Sequence, residues 1–238
     1  MLPLVSKLYC SSSEVVFVIR TRPHVINGGG FVVTDCNQKA VFSVDGCGIL
    51  GKEDELILRD GKRDALLLLR GKGGIFEALS FHKMWKAFKY DFQGSKKLVF
   101  SLRRPKSCLP VKSDVGIKIT TKPKVSQKDW DFEISGYFPD KKCSIIDSQG
   151  NVVAQEHVPA RRCRSLLSTK RASTATAHIW LVNVVVVLDV GHIGTTKKAG
   201  ELLSKDIYYV SIKPGIDQAF VVGVIAILDN IYGESTSC

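Results

Sequence analysis

Short apolar runs, several alternating strictly with polar residues, recur along the first two thirds of this chain, with a turn signal between most neighbours. Residues 15–19, 31–34, 40–44, 55–58, 65–69, 97–101, 115–120, 130–135, 143–146 and 151–154 read as strands. Val115, Ile117 and Ile119 recur at period two, as do Trp130, Phe132 and Ile134, which places each set on one face of its strand. Residues 35–39 and 148–150 predict hairpin loops, and Asp60-Gly61 predicts a type I′ turn with positive φ at its centre. Residues 81–90 fit strand or helix, and Trp85 and Phe88 favour strand. Many short strands joined by turns predict an antiparallel sandwich or barrel.

The end of the chain has another texture. After a strand-like stretch at 207–213 and a Pro214-Gly215 break, Ala219 to Leu228 form ten consecutive apolar residues. A helix with no polar face is buried on all sides or lies in lipid. Ten helical residues reach roughly 15 Å, about half of a bilayer's hydrocarbon core and comparable to a barrel lumen. The expectation is a mainly β protein, a closed antiparallel barrel filled by its own helix at 217–232. Asp217 is placed to cap that helix and Gly233 to end it. Burying its side chains contributes on the order of 15 kcal/mol gross, at ~1.5–3 kcal/mol each.

Composition adds charge to this picture. The 238 residues carry a net charge of +11, and 45% of them are hydrophobic, ample for a large core. Between Lys96 and Lys128 ten basic residues face one acid, Asp114. Lys96, Lys97, Arg103, Arg104, Lys118, Lys122 and Lys124 are the candidate face for anionic lipid headgroups. Lysines also guard strand edges against pairing with other chains, so the same residues serve a solvated surface equally well. Nucleic acid fits less well, because Phe100 is the one aromatic in that window and base stacking needs several.

Candidate chemistry is sparse. Gly46-Cys-Gly-Ile-Leu-Gly51 matches the dinucleotide fingerprint in letters, yet Lys52-Glu-Asp-Glu55 leads straight into another strand where a helix is required. The seven cysteines form no C-x-x-C pair and the five histidines no H-E-x-x-H, so no metal site, disulfide framework or cofactor is expected. No G-x-S-x-G elbow occurs, and a non-enzymatic role follows. The first residues lack a basic n-region and a sustained apolar stretch, which predicts an intracellular protein with reduced thiols, cytoplasmic, peripheral at the plasma membrane or nuclear. No transmembrane span is expected.

Several stretches together resemble one known family. They are Gly29-Gly-Phe-Val-Val-Thr-Asp35, Ala40-Val-Phe-Ser-Val-Asp-Gly46, Asp54-Glu-Leu-Ile-Leu58, Trp130-Asp-Phe-Glu-Ile-Ser-Gly136, Gly150-Asn-Val-Val-Ala154 and the closing run from Lys213 to Asp229. With them, residues 15–155 and 198–233 are similar to the plant LURP-one-related proteins of the tubby C-terminal-like and phospholipid scramblase-like superfamily. The resemblance implies a single domain over 1–238, a barrel of about twelve strands around a central C-terminal helix, and no catalysis. It also implies links to plant defence and, through relatives, to phosphoinositide tethering and scramblases. The phosphoinositide-pocket residues of tubby proteins have no positional match here. A scramblase role would call for a membrane span and an EF-hand loop, which the sequence lacks.

Residues 156–196 depart from the family pattern. Their basic start, Pro159-Ala-Arg-Arg-Cys-Arg164, and their β-branched run at 179–188 occupy a place where a short connection is expected. They read as an insertion, translated from a retained intron or a misplaced splice junction. Two functions stay open: a regulator tethered to anionic lipid, and a protein-interaction scaffold whose basic surface is merely solvated.

Overall fold

The computed structural model describes residues 3–22, 28–52, 54–71, 82–90, 94–105, 116–121, 130–157, 206–232 and 234–236. Among these, twelve strands form one closed antiparallel barrel. They are β1 (Val15–Thr21), β2 (Phe31–Thr34), β3 (Ala40–Asp45), β4 (Glu55–Asp60), β5 (Ala65–Gly71), β6 (His82–Tyr90), β7 (Lys96–Pro105), β8 (Ile117–Thr120), β9 (Phe132–Tyr137), β10 (Lys142–Asp147), β11 (Val152–His157) and β12 (Ile207–Ile212). Each pairs with its neighbours in sequence, and β1 closes the barrel against β12, with Phe17 opposite Val210. Closure leaves no open edge to recruit a foreign strand. Alternate residues point inward. Phe17, Ile19, Phe42, Val44, Leu56, Leu58, Phe100, Leu102, Ile117, Ile119, Phe132 and Ile134 are buried. Within the ambiguous segment 81–90, residues 82–90 form strand β6, because Trp85 and Ala87 fill the lumen at period two.

Three hairpins share one loop design. Asp35 Oδ1 accepts from the N–H groups of Asn37 and Lys39, Asp60 Oδ1 from those of Lys62 and Asp64, and Asp147 Oδ1 from those of Gln149 and Asn151, all at 2.8–2.9 Å. In each, the residue three beyond the aspartate takes positive φ: Gln38 at 64°, Arg63 at 72° and Gly150 at 84°. The carboxylate therefore organises a five-residue loop, as aspartate side chains do by bonding the backbone two residues on. This corrects the type I′ turn expected at Asp60-Gly61. Positive φ falls on Arg63, and Gly61 sits instead where a Cβ would come within 2.8 Å of the carbonyl oxygen of Ala40.

The glycine-rich stretch at 46–51 holds a single helical turn, α1 (Cys47–Leu50), and then enters β4. Gly48 lies where a Cβ would collide with the carbonyl oxygen of Gly28. Close backbone approach, not phosphate binding, accounts for a small residue there.

Helix α2 (Gln218–Ile231) occupies the lumen, and Ala219 through Asp229 are buried. Its sides touch opposite walls. The Phe220 ring lies 5.2 Å from Phe100 of β7 and 4.9 Å from Phe132 of β9, Gly223 faces Leu67 of β5, and Val221, Ile225 and Leu228 face β10, β11 and β12. An apolar helix surrounded by an apolar wall explains why no polar face exists. Fourteen residues span roughly 21 Å at 1.5 Å each. Asp217 caps its start, as expected, accepting from the N–H groups of Ala219 and Phe220. Gly233 lies outside the described residues, and Tyr232 closes the last turn with its N–H on the Leu228 carbonyl.

Both ends of the helix are covered by chain termini. At the start, Asp217 Oδ2 accepts from the N–H of Val5 at 2.7 Å and of Ser6 at 3.0 Å, and Lys89 Nζ donates to the Val5 carbonyl. At the finish, Asp229 Oδ2 accepts from Thr236 N at 2.6 Å and Ser235 Oγ at 3.1 Å. The Ser235 carbonyl in turn accepts from Gly30 N at 2.6 Å. Strand β11 runs two residues into the stretch read as an insertion, pairing Glu156 with Val210 and His157 with Tyr209. The rest of that insertion, 158–196, lies outside the described residues.

Candidate functional site

The basic residues singled out in the sequence sort by the pleat of β6, β7 and β8. With Trp85, Ala87, Phe100, Leu102, Ile117 and Ile119 inward, the intervening positions face out. The register then aligns them in rows. Arg103 stands between Met84 of β6 and Lys118 of β8, and Lys118 in turn stands beside Glu133 of β9. Two residues along, Arg70, Lys86, Ser101 and Thr120 form the next row. Directly opposed residues lie about 5 Å apart and adjacent rows about 7 Å apart, so Lys86, Arg103 and Lys118 make one compact patch.

Local contacts hold this patch in shape. Ser101 Oγ and Thr120 Oγ1 are 2.9 Å apart, tying β7 to β8 across the outer face. Lys118 Nζ lies 5.8 Å over the Trp130 ring, and Arg103 Nε is buried without a hydrogen-bond partner among the described residues. Arg70 pairs with Glu55 at 3.2 Å, which removes it from the free charge.

Lys96 and Lys97 sit at the start of β7, at the far end of the same strand. Both are exposed; Lys96 Nζ is 3.9 Å over the Phe88 ring, and Lys97 stands opposite Lys89. Arg104 pairs through its backbone with Lys83. Lys122 and Lys124 lie outside the described residues. The structure thus brings Arg103 and Lys118 together and separates Lys96 and Lys97 from them. Lys86 is the member that charge counting missed, because it falls outside the basic window. Alternation with Trp85 and Ala87 would have marked it as outward-facing.

A second concentration of polar groups lies inside the barrel at the finish of α2. Glu156 of β11, Tyr208 of β12 and Asp229 of α2 are buried, as is Lys141 in the turn before β10. Cys143 Sγ donates to Glu156 Oε2 at 2.9 Å. Burial pushes the Glu156 carboxyl up to about 8 and Asp229 up to about 6, the latter held back by its bonds from Thr236. Burial likewise raises the Cys143 thiol and the Tyr208 phenol. Among the described residues no group of three or more His, Cys, Asp or Glu is placed to hold a metal ion, and no helix is long and apolar enough to cross a membrane.

A closed twelve-stranded barrel around its own C-terminal helix, carrying these two sites, has clear relatives. The family model described as LURP-one-related matches residues 15–178. Protein LURP-one-related 6 of Arabidopsis thaliana is 47% identical over 99% of this chain and 98% of its own length. The chain belongs to the LURP-one-related family. Protein LURP-one-related 16 of the same plant is 40% identical over 99% of this chain and 95% of its own length. The X-ray structure of another Arabidopsis thaliana protein overlays with a TM-score of 0.58 at 18% identity, covering 96% of this chain and 98% of that one, a likeness of fold.

Proposed function

We propose that this member of the LURP-one-related family is a non-enzymatic regulator that docks on anionic membrane lipid through the outer face of β6, β7 and β8. The observation that supports this reading is the register that sets Arg103 beside Lys118 and one row from Lys86. Three cations held within two rows of a rigid wall present a fixed positive field, stronger at the surface than the same charges on mobile loops. Headgroup phosphates would approach from solvent, and Trp130 beside Lys118 would lie at the rim. Binding of this kind is electrostatic and contributes about 1 kcal/mol per basic residue near the surface. Phosphoinositides, the most highly charged headgroups, are the preferred ligands, and the connection to plant defence follows from the family resemblance.

Co-sedimentation with liposomes tests the reading. Vesicles containing phosphoinositide should pull down the protein and neutral vesicles should not, with binding falling as salt screens the charges. Arg103→Gln combined with Lys118→Gln should abolish it while the protein still melts cooperatively, because both residues lie on the outer face and glutamine sets no new charge beside Glu133. Equal partition to both vesicle types, or none to either, would overturn the lipid reading in favour of a protein-interaction scaffold.

A further inference from the structure

Ser101 and Thr120 are the uncharged polar side chains within the basic rows on the outer face of β6, β7 and β8. Ser101 stands opposite Lys86 on one side and Thr120 on the other, and Arg103 opposite Lys118 forms the adjacent row. Each cation of the patch is therefore a direct or diagonal neighbour of one of the two hydroxyls. Such spacings are about 5–8 Å between Cβ atoms, which long side chains bridge.

The hydroxyls have a hydrogen to spare. Ser101 Oγ and Thr120 Oγ1 lie 2.9 Å apart, so one donates to the other. Each carries a single hydrogen, so the pair spends one on itself and keeps one to give. Neither hydroxyl has a further partner among the described residues. Arg103 Nε is likewise a buried donor without an acceptor, and an unmet donor of this kind calls for an ion or water to complete it. Among the described residues no carboxylate pairs with Lys86, Arg103 or Lys118, whereas Arg70 is taken by Glu55. The patch faces solvent with a surplus of donors.

We propose that Ser101 and Thr120, with Lys86, Arg103 and Lys118, form a binding site for the dianion of a phosphate monoester, one hydroxyl donating to a phosphate oxygen and the three cations closing around it. This rests on the reading of the same face as a lipid-docking surface, and gives that face a preference that charge alone does not.

A phosphate monoester carries about −1.5 to −2 charges at neutral pH and three terminal oxygens that accept strongly. It takes several converging donors at one centre, and bonds of that kind are short and strong because the acceptor is charged. A headgroup that spreads its charge over a diester and a carboxylate has no such centre. Two carboxylates of the β9 side bound the site. Glu133 stands beside Lys118, and Asp131 Oδ2 accepts from Thr121 N and Oγ1 at 2.6 and 2.8 Å. Their charge turns an anion away from β9 and towards Ser101.

Co-sedimentation of the full chain tests the site, using phosphatidylcholine vesicles that carry phosphatidylinositol monophosphate or phosphatidylserine at equal surface charge. The unaltered protein should bind the monoester vesicles about tenfold more tightly, the effect of one hydrogen bond to a charged group. Ser101→Ala combined with Thr120→Val should bring the two affinities within about twofold, with binding to phosphatidylserine unchanged. Either substitution alone leaves one hydroxyl hydrogen and should keep the preference, which a mere tie between β7 and β8 does not foresee. Soluble competitors at fixed ionic strength identify the source of the phosphate. Release from the vesicles by inositol bisphosphate alone assigns the site to a lipid headgroup, and equal release by inorganic phosphate assigns it to free phosphate. Equal binding of the unaltered protein to both vesicle types would overturn the site and leave electrostatic docking standing. Binding to neither would overturn the docking reading and the site with it. A preference that survives in the double variant would also overturn the proposal. Should that variant fail to melt cooperatively, the unaltered protein decides by its own ratio of affinities.

Discussion

Asp217→Asn separates what helix capping explains from what the tertiary structure adds. Asparagine caps helices about as well as aspartate, so capping alone expects a change within about 0.5 kcal/mol. Here the carboxylate serves two groups of donors. Oδ1 faces Ala219 N and Phe220 N at 3.1 and 3.3 Å, and Oδ2 faces Val5 N and Ser6 N at 2.7 and 3.0 Å. An amide has one oxygen and one NH₂, so whichever way it turns, one pair of backbone donors meets another donor. Two buried N–H groups without an acceptor cost about 1–3 kcal/mol each, so Asp217→Asn should destabilise by about 2–6 kcal/mol in all. Urea unfolding followed by tryptophan fluorescence measures it as a lower midpoint with an unchanged slope. The partner group can be checked in the same assay. Deleting residues 1–6 removes the second set of donors, and Asp217→Asn should then be close to neutral, a coupling that a double-mutant cycle reads directly. A change under about 0.5 kcal/mol in the full-length chain would refute the idea that Asp217 ties the N-terminal segment to the helix.

Two further outcomes follow from the same packing and from the family pattern. Val224 is fully buried in α2, so Val224→Asp loses about 1.5–3 kcal/mol of burial and adds the larger cost of a charge in an apolar lumen. Together these rival the ~5–15 kcal/mol stability of a typical domain, and the variant should aggregate or melt without a cooperative transition. Native solubility and an unchanged melting temperature would contradict a helix buried on all sides. The insertion read at 156–196 is checked by sequencing the transcript: reads that join the codons for residue 155 and residue 197 directly would show retained non-coding sequence, and reads continuous through the segment would make it genuine protein.

Much of the architecture was legible in the chain because the forces that set it are local or periodic. Period-two apolar patterning marks which side of each strand faces in, and that pattern survives whatever the strand pairs with. A ten-residue apolar run with no polar face allows few homes, and the lumen of a barrel is one of them. Asp217 was recognisable as a cap because a cap bonds only to the next three residues.

What stayed hidden depends on contacts between residues far apart in sequence. Nothing local says that Asp217 also holds Val5 and Ser6, more than two hundred residues away. Asp60-Gly61 suggested positive φ at the glycine, but the carboxylate of Asp60 ordered a longer loop and moved that φ to Arg63. Counting charge along the chain grouped Lys96 and Lys97 with Arg103 and Lys118, whereas strand register keeps Lys118 beside Arg103, sets Lys86 one row away and leaves Lys96 and Lys97 at the far end of β7. The cluster of Lys141, Cys143, Glu156, Tyr208 and Asp229 gave no sequence signal at all, because five residues from four elements meet only once the barrel closes around its helix. Sequence by itself determined the elements and their inward faces, which follow from short-range sterics and hydrophobic periodicity. Only the tertiary structure decided which charges meet, because electrostatic neighbours are set by register and closure.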